Sequence, residues 1–227
     1  MEKTEKIILA SKSPRRLEIL RKHGIEPIVM PADTDESLPS DIGMEDAVKL
    51  LALRKARACY ESLKARAERS DCSGQSDGSE RSGNSGQSEG SDISDISDIS
   101  DISEFKDSKI VGSDTIVFTD EILGKPKDRS DAYKMLSAIS GTHHYVSTGV
   151  AVIDFNTGKE QVCSDVTLVH VAELSPDDIN AYLDTDEPYD KAGSYAIQGI
   201  FGKYIKQIEG DYENVVGLPF HVLKEMI

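Results

Sequence analysis

The chain lacks any apolar stretch near the ~20 residues that a membrane-spanning helix needs. Its longest runs are of the order of Val150-Ala151-Val152-Ile153. The opening segment, MEKTEKIILASKSPRR, has no long apolar centre and carries charge on both sides of its short one, so no secretory leader is expected. A cytoplasmic protein without membrane contact follows as the expectation. Cysteine is scarce as well. Cys59, Cys72 and Cys163 are odd in number, far apart and in no CxxC pair, and suggest neither a disulfide framework nor a zinc site. Positive charge is in deficit, with 26 Lys and Arg against 41 Asp and Glu and a net charge of −15. Residues 68–104 carry −8 of this, leaving −7 on the remainder. Duplex binding rests on phosphate neutralisation, so no nucleic-acid partner is expected. A small anionic ligand in a local basic pocket remains compatible. Familiar motifs are missing too. There is no GxGxxG, Gly199-Ile200-Phe201-Gly202-Lys203 is too short for a P-loop, and no Ser/His/Asp set has identifiable spacing. His143 and His144 are adjacent, so on a strand they face opposite ways and cannot share a metal.

A triplet repeat is present instead. From Ser70 to Ser103 a serine recurs at every third position, twelve times in all. Gly keeps no fixed place in the triplet, which excludes a collagen helix. Ser, Gly and acid dominate, too polar to repay the entropy of ordering. Residues 70–105 therefore read as a disordered insert in a loop, and their removal leaves 191 residues. A single domain over 1–227, interrupted at 70–105, is expected.

Outside the repeat, strands and helices alternate. Ile7–Ala10 reads as a buried strand. Ser13 caps the next helix, with Pro14 at its first position and Gly24 at its end. Ile28–Met30 is a second strand, and a long helix runs from about Met44 into the repeat. Ile110–Phe118 is a strand, Ser130 caps a helix through Ile139, and Tyr145–Ile153 and Gln161–Val171 form a hairpin around Asn156-Thr157-Gly158. Ser175 starts another helix, Ala196–Gln198 and Lys203–Ile208 are strands, and Pro219 opens a terminal helix. This order predicts an α/β fold with a mixed twisted sheet flanked by helices.

Four segments carry chemistry. Ser11-Lys12-Ser13-Pro14-Arg15-Arg16 joins a strand to a helix. It places cations on the positive end of the macrodipole, an arrangement that asks for an anion. On the long helix Lys55 shares a stripe with Val48, Leu51, Ala52 and Cys59, so it either snorkels to an edge or points into a cleft. In the strand Ile110–Phe118, alternation puts Ile110, Gly112, Asp114, Ile116 and Phe118 on one face. A carboxylate there costs several kcal/mol unless paired, hydrogen-bonded or metal-bound, about what mutational and transfer data give for unpaired buried polar groups. Asp33-Thr34-Asp35-Glu36 offers carboxylates of the kind that hold magnesium beside phosphates. Two weaker segments are Gly124-Lys125-Pro126, a tight loop with one lysine, and Lys191 through Gly199. In the latter, small residues admit a ligand and Gln198 offers both a donor and an acceptor to a base edge.

In that order, Leu9 through Arg16, Asp35-Glu36, Gly112 through Val117, Gly124-Lys125-Pro126 and Lys191 through Gly199 resemble the Maf family. The resemblance covers the whole chain except Ser70–Phe105. It implies a two-lobed fold around a central cleft, related to the inosine triphosphatase group. It also implies a nucleoside triphosphate pyrophosphatase that cleaves between the α and β phosphates with a divalent metal, Mg2+ or Mn2+. By the same resemblance Asp114 is the proton acceptor. Arg15, Thr115 and Gln198 are the substrate-specificity positions. Ser11, Arg16, Lys55 and Lys125 bind phosphate, and Glu36 with Asp114 holds the metal. The segment Gly193 through Gly199 looks like the subfamily acting on dTTP and UTP. The one acting on 7-methyl-GTP usually has glutamate in place of Gln198. A septum-formation regulator that acts through protein binding is the other reading the family leaves open, and a homodimer is the assembly it allows.

Overall fold

The computed structural model describes residues 6–72 and 105–227. In chain order the elements are β1 (Lys6–Leu9), α1 (Pro14–Lys22), β2 (Ile28–Val29), α2 (Met44–Cys72), β3 (Ser108–Phe118), β4 (Ile122–Leu123), α3 (Arg129–Ile139), β5 (His143–Asp154), β6 (Glu160–Val171), α4 (Pro176–Leu183), β7 (Ile205–Glu209), α5 (Tyr212–Val216) and α6 (Phe220–Lys224). Seven strands form one sheet in the order β2-β1-β3-β5-β6-β7, with β4 paired to the end of β3. β2, β1 and β3 run parallel, and β3, β5, β6 and β7 are successively antiparallel. The expected mixed sheet flanked by helices is the fold found.

The alternation of β3 explains the layering. Ile110 packs under α2 with Ala52, Ala56 and Cys59, and Ile116 packs with Ala47 and Val48. On the other face Val111 joins a core built from α1, α6 and the end of α5. A further core of α3, α4, Tyr195 and Phe201 encloses the far ends of β3, β5 and β6. The cleft opens between these groups. Gly112 and Gly149 set how closely α2 lies on the sheet. A Cβ at Gly112 would stand 2.2 Å from the Ala52 carbonyl oxygen, and one at Gly149 would stand 2.2 Å from that of Val48. Only glycine permits that contact, because overpacked atoms must otherwise displace backbone.

Three expectations need correction. The cap of α3 is Asp128, not Ser130. Its carboxylate accepts the Asp131 N–H at 2.8 Å, while Asp131 reaches back to the Lys127 amide at 3.0 Å. Ser13 holds the N-cap position of α1 but makes no side-chain cap bond. Ala196–Gln198 is not a strand. Its surroundings spend their backbone donors on tight turns over Ala192–Ser194 and Ile200–Tyr204, and on the Glu187 carboxylate, which accepts the Ile200 N–H at 2.9 Å.

The limits of the repeat shift as well. Ser70–Cys72 continue α2, and Phe105 is buried with Leu63 beneath the sheet. The triplets of 73–104 lie outside the described residues. The described part of α2 ends at Cys72, about 25 Å along the helix from Lys55 at ~1.5 Å rise per residue. Deleting 73–104 and closing with a short Gly/Ser linker should leave the melting temperature unchanged and the turnover within a few fold of the full chain. Deleting 70–105 instead should destabilise it, because Phe105 is lost. Thermal denaturation and an activity assay on both variants check this.

Candidate active site

A cleft of about 620 Å³ collects all nine residues singled out by sequence: Ser11, Arg15, Arg16, Glu36, Lys55, Asp114, Thr115, Lys125 and Gln198. That volume is in the range of small-molecule sites. Its floor is the turn between β1 and α1. The Ser11 oxygen accepts from the Ser13 N–H at 3.2 Å and from Arg16 Nη1 at 3.0 Å. A hydroxyl has two acceptor positions and one donor, so both lone pairs are used and the hydrogen of Ser11 is left for a ligand oxygen. Arg16 is tied at three points. Besides Ser11, its Nε donates to the Gly217 carbonyl at 2.8 Å and its Nη2 donates to Thr115 Oγ1 at 3.3 Å. Burial lowers its pKa from the ordinary arginine value, and neighbouring Asp114 opposes that shift.

Lys55 resolves the choice between snorkelling and a cleft: it points into the cleft. Its ammonium pairs with Asp114 Oδ1, both side chains being largely buried, and with Glu36 Oε1 at 3.1 Å. The loop after β2 is folded to present Glu36. Arg54 of α2 donates to the carbonyls of Asp35 and Ser37 at 3.0 and 2.6 Å. The Asp35 carboxylate accepts the Ser37 N–H and O–H at 2.9 and 2.6 Å. Of the acidic run, Asp33 and Glu36 line the cleft, whereas Asp35 is spent on its own turn. Burial pushes the Glu36 carboxyl up, but the Lys55 ammonium, with Lys125 and Arg16 beyond it, holds it below the ordinary value.

The opposite end of the cleft is made of loops. Gly193 N–H donates to the Gly124 carbonyl at 3.1 Å, which joins the Lys125 loop to the Gln198 loop. Glu187 shapes the latter from inside. Its carboxylate accepts from Ile200 N–H and from the Tyr182 hydroxyl at 2.9 Å each, and a Cβ at Gly199 would collide with it at 2.2 Å. Lys191 donates to the Glu187 carbonyl at 3.0 Å and also pairs with Asp190. Burial raises the pKa of Asp190, yet Lys191 and then Arg15 bring it below its ordinary value. Tyr195 lines the cleft with its hydroxyl 2.7 Å from His144 Nε2. Burial, helped by His143 and His170, pushes His144 down to about 4, so it is neutral near pH 7.

Sequence reasoning missed the supports. Glu187, Thr148, Asn214 and Gly217 hold the cleft residues from behind, and none stood out in its own segment. Asp165, Asp211 and His221 also gather, their ligand atoms within 4.8 Å of one another, but away from the cleft. Among the described residues no helix is long and apolar enough to cross a membrane.

A family model described as Maf-like protein matches residues 6–227. The chain is 39% identical to a dTTP/UTP pyrophosphatase of Alkaliphilus oremlandii, over 96% of this chain and 93% of the relative. It is 38% identical to a protein of the same name from Acetivibrio thermocellus, over 98% and 94%. A third relative of that name, from Bdellovibrio bacteriovorus, is 34% identical over 97% and 96%.

The lowered Glu36 titration gives a test of the Lys55 contact. A carboxyl that titrates below its unfolded value stabilises the fold above the unfolded pKa, and that contribution fades as pH falls through the folded one. In Lys55→Met the Glu36 carboxyl should titrate higher than in the parent, read by 13C NMR of the side-chain carboxyl. An unchanged midpoint would show that Lys55 is not what holds it down.

Proposed function

The chain belongs to the Maf family, and on that premise we propose that it hydrolyses dTTP and UTP to the monophosphate and pyrophosphate, in the upkeep of the nucleotide pool. The observation that carries this is the convergence of Arg15, Arg16, Lys55 and Lys125 on one cleft that also holds a largely buried carboxylate, Asp114. A triphosphate brings about four negative charges, and preorganised cations stabilise charge that develops on a leaving pyrophosphate. Asp114 accepts the proton of the attacking water. The water oxygen bonds to a phosphorus of the α–β anhydride, the bridging P–O bond breaks, and pyrophosphate departs among the cations. Ser11, with its hydrogen uncommitted, donates to a phosphate oxygen.

The two carboxylates suit a divalent metal. Glu36 and Asp114 already converge on a single cation, the Lys55 ammonium. Two carboxylates with an open side fit Mg2+ or Mn2+, which keep several waters and take the rest of their shell from phosphate oxygens. Bound there by Glu36 and Asp114, such an ion would supply charge neutralisation and a more acidic water. Asp114→Asn keeps shape and loses the base. Its turnover of dTTP should fall by ~10²–10⁴-fold while nucleotide binding persists. Near-parental turnover in a folded variant would remove Asp114 from the mechanism.

At the loop end, Gln198 reads the base. Thymine and uracil share an O4 acceptor and an N3–H donor, which one carboxamide satisfies together. Cytosine reverses both, leaving groups unpaired at ~1–3 kcal/mol each. The value of kcat/KM should therefore favour dTTP and UTP over CTP by roughly tenfold or more, and Gln198→Glu should lower the first two selectively. A panel of dTTP, UTP, CTP and 7-methyl-GTP on both proteins decides the matter. A parental preference for 7-methyl-GTP, or an equal loss on every substrate, would overturn the assignment.

A further inference from the structure

Arg16, Thr115, Thr148 and the Asn214 carbonyl form a chain of contacts whose direction is fixed by its ends. Thr148 lies on β5, opposite Thr115 of β3 in register, and is fully buried outside the cleft. Its hydroxyl donates to the Asn214 carbonyl at 2.7 Å. That spends its only hydrogen, so at the 3.0 Å contact between the two threonine oxygens Thr115 must be the donor. Arg16 has donors only, and its Nη2 gives one to Thr115. Every hydrogen bond of the chain therefore runs the same way, from guanidinium to Thr115 to Thr148 to the carbonyl. Thr115 has no hydrogen left for a ligand, and what it offers Arg16 is an oriented lone pair.

The remaining Arg16 contacts come from the same source. Gly217, at φ +124, ends α5 and turns its carbonyl to Arg16 Nε, and that carbonyl also accepts from Ser113 Oγ at 2.9 Å. With Ser11 on Nη1, three of the five guanidinium hydrogens are taken, and one remains on each terminal nitrogen. Two hydrogens on two nitrogens are what a bidentate grip on one phosphate requires.

We propose that Thr148 is a positioning residue for Arg16: by polarising and orienting Thr115 it fixes the guanidinium so that its two free N–H groups meet a phosphate. The proposal rests on the pyrophosphatase reading only in taking Arg16 as a phosphate contact.

The test compares Thr148→Val, which keeps shape and loses the hydroxyl, with Thr148→Ser, which keeps the hydroxyl. Inorganic pyrophosphate with Mg2+ is titrated calorimetrically into the full chain, and KM and kcat are measured for dTTP and CTP. Thr148→Val should bind pyrophosphate roughly tenfold more weakly, as expected when a positioning contact is lost. Its KM should rise by a similar factor for both nucleotides with their ratio of kcat/KM unchanged, and Thr148→Ser should restore binding. A merely structural role would lower the active fraction, and with it kcat, at an unchanged Kd. If Thr148→Val does not fold, Thr148→Ala takes its place in the comparison. Parental pyrophosphate affinity in the variant, an equal defect in Thr148→Ser, a shifted dTTP-to-CTP ratio, or no pyrophosphate binding by the parent would each overturn the proposal. A parent that binds pyrophosphate in a Thr148-dependent way but does not turn over dTTP would leave Thr148 in its role and sink the substrate assignment alone.

Discussion

At Gly112 and Gly149 the sheet has no side chains, and the backbone of α2 occupies the space they would have filled. Asp114 pairs with Gly149 across the β3–β5 ladder, so the close approach occurs beside the carboxylate. Lys55, one turn beyond Leu51 and Ala52, is thereby brought onto Asp114 without leaving the apolar stripe of its helix. A larger residue at either glycine would lift the helix, and overpacking of that kind typically costs ~1–3 kcal/mol. The same displacement would separate the ammonium from the carboxylate. Packing and charge placement are one constraint here, since a carboxylate left buried and unpaired is far costlier than the pair.

The acidic surface and the basic cleft are compatible in part because three of the cleft cations are held individually by local acceptors. Lys55 sits between Asp114 and Glu36, Lys191 between Asp190 and the Glu187 carbonyl, and Arg16 among a hydroxyl pair and a carbonyl. Without a ligand these partners relieve the mutual repulsion of the cations. An anion entering the cleft would have to compete with carboxylates for Lys55 but not for Arg16, whose hydrogen-bond partners are neutral. Arg16 is thus held in place by neutral groups and would need no carboxylate displaced to meet an anion.

The sequence made the chemistry of this cleft readable wherever one residue broke a local pattern. Asp114 interrupts a strand of Ile and Val, Lys55 interrupts a helical stripe, and Arg15 and Arg16 contradict the dipole of the helix they begin. Each anomaly was visible within a window of ten residues. The same windows located β3, the β5–β6 hairpin and the course of α2. They failed at α5, whose five residues are too few for a helical period, and at 196–198, where apolar content suggested a strand but Glu187 and the glycines had already claimed the backbone donors. Asp128 outbid Ser130 as a cap because a charged acceptor two residues earlier makes the stronger bond to the helix amides. Thr148, Asn214 and Gly217 gave no local signal at all. Their importance lies in contacts with residues up to about two hundred positions away, as between Gly217 and Arg16.

The two ends of the cleft are built differently, and that difference bears on how its specificity can change. At one end Arg15, Arg16, Lys55 and Asp114 stand on α1, α2 and β3, and their supports are buried in the sheet: Ser113 and Thr148 are fully covered and bonded to the α5 segment. At the other end Lys125 and Gln198 stand on loops, and Gln198 itself is exposed. Those loops are joined by a single backbone bond between Gly193 and Gly124 and pinned from within by Glu187. An exchange at Gln198 alters the loop end without touching the sheet, whereas an exchange at Thr148 or Gly217 disturbs Arg16. The two ends of the cleft therefore rest on separate supports, so side chains can be exchanged in the loops while the sheet end stays as it is.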